Sequence, residues 1–306
     1  SKQFGASYYL PFITRQQRLG AGIGGFFGQR DEIVYGTADN RRLFISTGTG
    51  RTRESWAARL FFTYRKRFRD QHRLELAYRG GRVLDSVASV SEDYLHNDRL
   101  HMNYLQLHYS FRLDFRDYRP YPLAGSFMDL HTIFNGLGIT GDGMHHAWAF
   151  IDLRKYFALS KRWFAGMSLR SRIGLSEQHP YYLQEGLGYN NFVRGYEYYV
   201  MDGQHFALFK STVKFKFLDH RIRSIKPLSY IKFNRPVIRM FLTANLDAGY
   251  TWDNRYFAAN PLSNEPLIGG GLGLDITSIY EFVVRFEVSW NHLGEHGYFL
   301  HFTQPL

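Results

Sequence analysis

Residues 191–200 read NFVRGYEYYV, an arginine and a glycine set among aromatic side chains. The chemistry open to Arg194 is ionic. A guanidinium does not lose its proton, so at a dry position it needs carboxylate partners, and its rigid fork of donors gives a directional contact that lysine would not reproduce. Gly195 lets the chain turn sharply there or approach a wall closely. The acids that could meet Arg194 lie further along. In VVRFEV (283–288), Val284, Phe286 and Val288 fall on one side of an extended segment, and Arg285 and Glu287 on the other. The segment before it places Leu272, Leu274 and Ile276 on one side and Asp275 on the other, and the same count turns Asp247 inward. Glu287, Asp275 and Asp247, on adjacent strands, are the expected partners of Arg194.

Other reactive groups carry less. His145 and His146 adjoin, but neighbours on a strand point to opposite faces and make a poor metal-binding pair. His205 and Ser211 share the apolar face of one segment but sit about 20 Å apart along it, too far for a nucleophile and its base. The chain has no cysteine, so disulfide and thiolate chemistry are excluded. The sequence therefore points to no catalytic residue, no metal, no cofactor and no enzyme.

The elements that must position these groups show a period of two. In LQLHYSFRLDF (105–115), Leu105, Leu107, Tyr109, Phe111, Leu113 and Phe115 alternate with Gln106, His108, Ser110, Arg112 and Asp114. IRMFLTANLDAGY (238–250) alternates in the same way, as do the stretches around Leu74–Tyr78 and Val213–Phe217. Many such runs reach ten residues, the length a tilted strand needs to cross a bilayer, whereas an ordinary strand has about five or six. Strand starts near residues 4, 20, 41, 55, 71, 99, 121, 145, 162, 204, 238, 267, 280 and 297 give about 14 strands, an even number as in single-chain bacterial barrels. Short connections near 67–70, 116–119, 158–161 and 277–279 alternate with long ones near 83–98, 136–144, 175–203 and 253–265. The 218–237 connection breaks that pattern. No linker or repeat divides the chain, so residues 1–306 read as one domain without periplasmic modules.

Composition agrees with this reading. Aromatic residues make up 18% of the chain, glycine is abundant and proline scarce, which favours pleated structure. No apolar run approaches the roughly 18 residues of a membrane helix, and a barrel strand needs apolar residues only at every second position. The fold class expected is all-β: a transmembrane antiparallel barrel of about 14–16 strands, with the 175–203 loop folded into its lumen. Trp56, Tyr64, Trp163, Tyr250, Trp252 and Trp290 fall near strand ends, as interfacial girdles do. Arg59, Arg73, Arg79, Arg112, Arg170, Arg172, Lys214, Arg239 and Arg285 fall on the face that would line the lumen. Basic clusters at 65–69 and 221–235 would meet lipid phosphates or an acidic partner at the membrane surface. Nucleic acid is not an expected ligand.

Three motifs carry a resemblance. VRGY (Val193–Tyr196) resembles the V/I-R-G-F/Y hallmark of the BamA/TamA outer-membrane assembly barrels, the bacterial surface antigen family, which lies in a long loop folded back into the barrel. VRFE (Val284–Glu287), with Arg285 and Phe286, is similar to that family's R-F-D strand motif, whose acid contacts the loop arginine; Glu287 stands where the family has Asp. HGYFLHF (His296–Phe302), with Gly297, Leu300 and Phe302 at the matching positions, resembles the C-terminal β-signal of outer-membrane barrels. The family barrel has about 16 strands. The resemblance implies a Gram-negative outer-membrane protein acting in insertion or translocation of outer-membrane or surface proteins, alone or as the membrane subunit of a larger complex. Its implied partners are outer-membrane lipid and lipopolysaccharide, client proteins, and accessory outer-membrane or periplasmic proteins. The alternative reading of the Arg-rich lumen is a porin-like, anion-favouring channel or a structural barrel.

Overall fold

A computed structural model describes residues 1–48, 50–91, 94–95, 99–139, 143–176, 180–221, 237–255, 257–278 and 283–302. Its strands are β1 (Lys2–Leu10), β2 (Leu19–Arg30), β3 (Glu32–Ala38), β4 (Arg41–Ser46), β5 (Arg53–Tyr64), β6 (Asp70–Val83), β7 (His101–Asp114), β8 (Gly125–Asn135), β9 (His146–Ala158), β10 (Trp163–Gly174), β11 (His205–Arg221), β12 (Val237–Trp252), β13 (Leu267–Ser278), β14 (Val283–Asn291) and β15 (His296–His301). Thirteen of them form one sheet in the order β1-β2-β5-β6-β7-β8-β9-β10-β11-β12-β13-β14-β15, while β3 and β4 pair only with each other. Every ladder between neighbours is antiparallel.

The alternation in the sequence becomes an alternation in burial. Along β12, Phe241, Thr243, Asn245, Asp247, Gly249 and Thr251 are buried, and Leu242, Ala244, Leu246, Ala248 and Trp252 are exposed. The polar side chains face inward and the greasy ones outward, the reverse of a soluble sheet and the pattern of a wall in lipid. Tyr64, Trp163, Trp252 and Trp290 lie on the outer surface, each between 40% and 48% exposed. β7, β11 and β12 have 14, 17 and 16 residues, long enough to cross a bilayer at a tilt.

Among the described residues thirteen strands build the wall rather than the 14–16 expected, because the segment beginning near residue 41 does not join it. Residues 41–46 are the second arm of a β3–β4 hairpin between β2 and β5. Its arms have seven and six residues, a register shift at Val34/Gly36 breaks its ladder, and Asp39 and Asn40 at its tip take φ of 51° and 55°. Such a turn suits a tight hairpin, and arms this short fit a loop better than a membrane wall. The strand expected from residue 121 begins at Gly125 instead.

The sheet curls, as contacts between distant strands show. Tyr121, between β7 and β8, donates to Asp275 on β13 at 2.7 Å. The hairpin tip reaches the β12–β13 connection: Asp39 N donates to Ala259 O at 2.8 Å, and the Leu262 amide donates to Asn40 Oδ1 at 2.9 Å. The described residues of the 175–204 connection occupy the interior. Tyr182 meets Tyr104 of β7 at one side, and residues 193–196 meet β12 to β14 at the other. Among the described residues no ladder joins β15 to β1. Thirteen is odd and all neighbours are antiparallel, so β1 and β15 run in the same direction. Only an odd number of intervening strands would join them antiparallel to both.

Candidate functional site

The tip of the 175–204 connection is held by packing before any charge is considered. Leu187 and Met201 pair as an isolated antiparallel bridge that closes the excursion at its base. Leu187, Val193, Tyr196 and Met201 are fully buried against Phe206, Leu208, Leu262 and Leu267. Gly195 has φ +81°, a conformation that side chains with a Cβ rarely take, and an added Cβ would lie 2.6 Å from the Trp290 backbone. On the wall, a Cβ at Gly269 would lie 1.7 Å from the Arg194 carbonyl oxygen. Loop and wall thus touch backbone to backbone, and Asn291 Nδ2 donates to the Gly195 carbonyl at 2.8 Å. The Tyr196 hydroxyl pairs with His292 Nδ1, and burial pushes that phenol up to about 12.

This contact delivers Arg194 into an ionic cluster. Arg194 Nη1 donates to Asp247 Oδ1 at 2.6 Å, and Nε to the two Glu287 oxygens at 2.9 and 3.1 Å. Its own amide donates to Asp247 Oδ2 at 3.2 Å. Asn245 Nδ2 supports Glu287 at 3.3 Å, and Lys210 Nζ lies 3.4 Å from Asp247. Beside this, Arg285 grips Asp275 with Nε and Nη2 at 2.6 and 2.7 Å and reaches Glu287 at 3.4 Å. Tyr121 donates to Asp275 from across the lumen; burial, and then the Asp275 charge, hold its phenol well above its ordinary range, so it stays a donor. Lys214 sets its ammonium 4.0 Å from the Tyr121 ring centroid. Arg194 is 3% exposed, Arg285 2%, and Asp247 and Asp275 not at all. At such burial the attraction must offset desolvation of every charge, which it does only with short, multiply bonded geometry of this kind.

The structure brings Val193, Arg194, Gly195, Tyr196, Asp247 and Glu287 together. Asp275 lies in the same cluster but does not pair with Arg194: Arg285 is its direct partner across the β13–β14 ladder and takes it first. Alternation puts Asp275 and Arg285 on one face, and the register that sets them opposite each other follows only from the fold. Phe286 faces outward, 49% exposed, and pairs with Leu300 on β15. Gly297 lies opposite Ser289, and Phe302 follows β15, 64% exposed. Sequence reasoning missed the participation of Lys210 and of Tyr121, which it set at the start of a strand where the structure has a connection that reaches across to Asp275.

Of the remaining groups, His146 is buried against Asn135 while His145 is exposed, on opposite sides as their adjacency requires. Ser211 Oγ donates to Leu246 O, and His205 Nδ1 accepts from the Gly174 amide, so each is engaged separately by backbone. The 65–69 cluster lies in the exposed β5–β6 turn, while most of the 221–235 cluster lies outside the described residues.

No protein-family profile matches the chain. No curated protein matches it either. Among solved structures it is similar to the crystal structure of BamA from Haemophilus ducreyi lacking POTRA domains 1–3, with a TM-score of 0.69 and 14% identity over 97% of this chain and 60% of that one. It is also similar to CdiB from Escherichia coli, with a TM-score of 0.53 and 14% identity over 99% of this chain and 51% of that one. The chain therefore has the BamA type of β-barrel fold and spans about half to three-fifths of the length of these two proteins.

Proposed function

We propose that this chain is the membrane barrel of a BamA/TamA-type component of a Gram-negative outer membrane, acting in the insertion or translocation of outer-membrane or surface proteins. The observation that carries this reading is the VRGY tip seated in the lumen, with Arg194 bonded at once to Asp247 on β12 and Glu287 on β14. The role is mechanical, with no covalent chemistry. The pinned loop ties β12 to β14 through the interior, and among the described residues no ladder joins the β1 and β15 edges. β1 is exposed along its whole length and β15 has only six residues. Unpaired edges template another strand. Because both edges run in the same direction, a single client strand would lie antiparallel to each. The exposed basic turn at 65–69, on the short-turn side of the wall, suits contact with lipid phosphates or an acidic partner, and accessory subunits would complete the assembly; lipopolysaccharide would meet the side of the long loops.

The test is reconstitution into proteoliposomes with a urea-unfolded outer-membrane barrel as client. The wild-type chain accelerates client folding and Arg194→Ala does not. An equal rate with Arg194→Ala overturns the role given to the loop. Conductance across planar bilayers separates the porin-like alternative: a loop-filled lumen passes little steady current, and a large anion-selective current would favour the channel.

A further inference from the structure

The lumen wall built by β2, β5 and β6 carries a second group of arginines, and these lack the acids that surround Arg194. Arg30 on β2 lies directly opposite Arg53 on β5, a like-charge cross-strand pair that repels when nothing intervenes. Two strand positions from the register partner of Arg59 comes Arg79 on β6, its diagonal neighbour. Among the described residues no carboxylate pairs with Arg30, Arg53 or Arg59. The acid closest to Arg79 is Glu75, 3.9 Å away and already bonded to Arg73 at 2.6 Å.

These guanidinium groups border two cavities. One, of about 270 Å³, is lined by Arg30, Arg53 and Arg79 together with Trp56, Tyr104 and Tyr182. The other, of about 260 Å³, is lined by Arg59 and Arg79 over the small residues Gly24, Gly25 and Ala57. Phe26, Ala57 and Arg79 line both, so the two adjoin. No carboxylate of the described residues lines either one. Neutral contacts orient the arginines. Arg53 donates to the Tyr94 hydroxyl at 3.2 Å and stands over the Tyr182 ring, and Arg79 donates through Nε to Gln106 at 2.8 Å. Arg59 lies over Gly24, where an added Cβ would sit 3.0 Å from its Nε. The result is a preoriented, net cationic chamber with room for a small ligand.

We propose that this chamber binds a phosphate-type oxyanion, with Arg59 and Arg79 as its central ligands and Arg30 and Arg53 completing the charge. Arginines that line two adjoining cavities, with Arg79 common to both, suit a ligand with three or more acceptor oxygens and more than one negative charge, which a single carboxylate does not offer. Such an anion would also relieve the Arg30–Arg53 repulsion. The phosphate could be borne by a lipid or be free in solution, and the chemistry at the chamber is the same.

The full chain in phosphatidylcholine nanodiscs is titrated calorimetrically with inorganic pyrophosphate. Saturable binding at one site per chain is expected. The Arg59→Gln/Arg79→Gln double variant should weaken it ~10-fold or more, and Arg112→Gln, whose arginine is paired with Asp129, should leave it unchanged. A second measurement needs no variant: pyrophosphate should protect Arg59 and Arg79, but not Arg65 or Arg67, from phenylglyoxal modification read by mass spectrometry. Phosphatidylglycerol nanodiscs distinguish the sources, since competition with pyrophosphate marks a lipid-borne phosphate and its absence a soluble one. No saturable binding, an equal loss in Arg112→Gln, or no protection of Arg59 and Arg79 overturns the proposal.

Discussion

Two sides of one lumen use the same residue type in opposite ways. Around β12 to β14, arginines sit among Asp247, Asp275 and Glu287 and are almost wholly buried. Around β2, β5 and β6, Arg30 and Arg59 stay exposed, and among the described residues no acid pairs with Arg30, Arg53 or Arg59. The difference lies in what the register places opposite each cation. Asp275 faces Arg285, and the pair can leave water together; Arg53 faces Arg30, and neither can. Inward arginines thus become a clamp or a receptive cationic wall depending on the neighbouring strand, a distinction that counting charges does not reveal.

The largest expected contrast is between Arg194→Ala and Arg59→Ala. Removing Arg194 leaves two carboxylates buried without their main partner and should destabilise by about 3–5 kcal/mol. Arg59→Ala should change stability by less than about 0.5 kcal/mol. Urea midpoints of the folded barrel in detergent measure both, and equal shifts would erase the distinction. A smaller effect is expected from Tyr121→Phe. Asp275 loses one bond but keeps both from Arg285, so a loss of about 1.5 kcal/mol is expected by the same measurement. A shift as large as that of Arg194→Ala would mean that the cross-lumen bond, not the loop, holds the cluster.

The smallest effect concerns pH. Glu197, beside the clamp, has its carboxyl pushed up by burial and, less strongly, by the Glu287 charge, and its Oε2 has no hydrogen-bond partner among the described residues. The folded protein therefore holds this proton more tightly than the unfolded chain does. The penalty is present above the folded pKa, shrinks as pH falls through it, and vanishes below the ordinary carboxyl range. Glu197→Gln should raise the thermal midpoint at about pH 8 and leave it unchanged at about pH 3.5. The same gain at both values would show that the carboxyl charge is not the cause.

Much of this was legible beforehand. Alternation gave nearly every wall strand and its inward face, including those of Asp247, Asp275, Arg285 and Glu287. It misjudged residues 41–46, whose strand character is real but whose partner is β3 rather than the wall. It also gave Arg194 three acids where it takes two, since faces can be counted along one strand but neighbours across a ladder cannot.

The sequence by itself determined an all-β chain with an apolar exterior and an ionic interior, because a period of two acts between adjacent residues and needs no tertiary partner. Only the folded structure decided which charges meet. Arg194 reaches Asp247 across 53 residues and Glu287 across 93. Those distances close through strand register, backbone contact at Gly195 and Gly269, and curling of the sheet, none of which leaves a local mark in the chain.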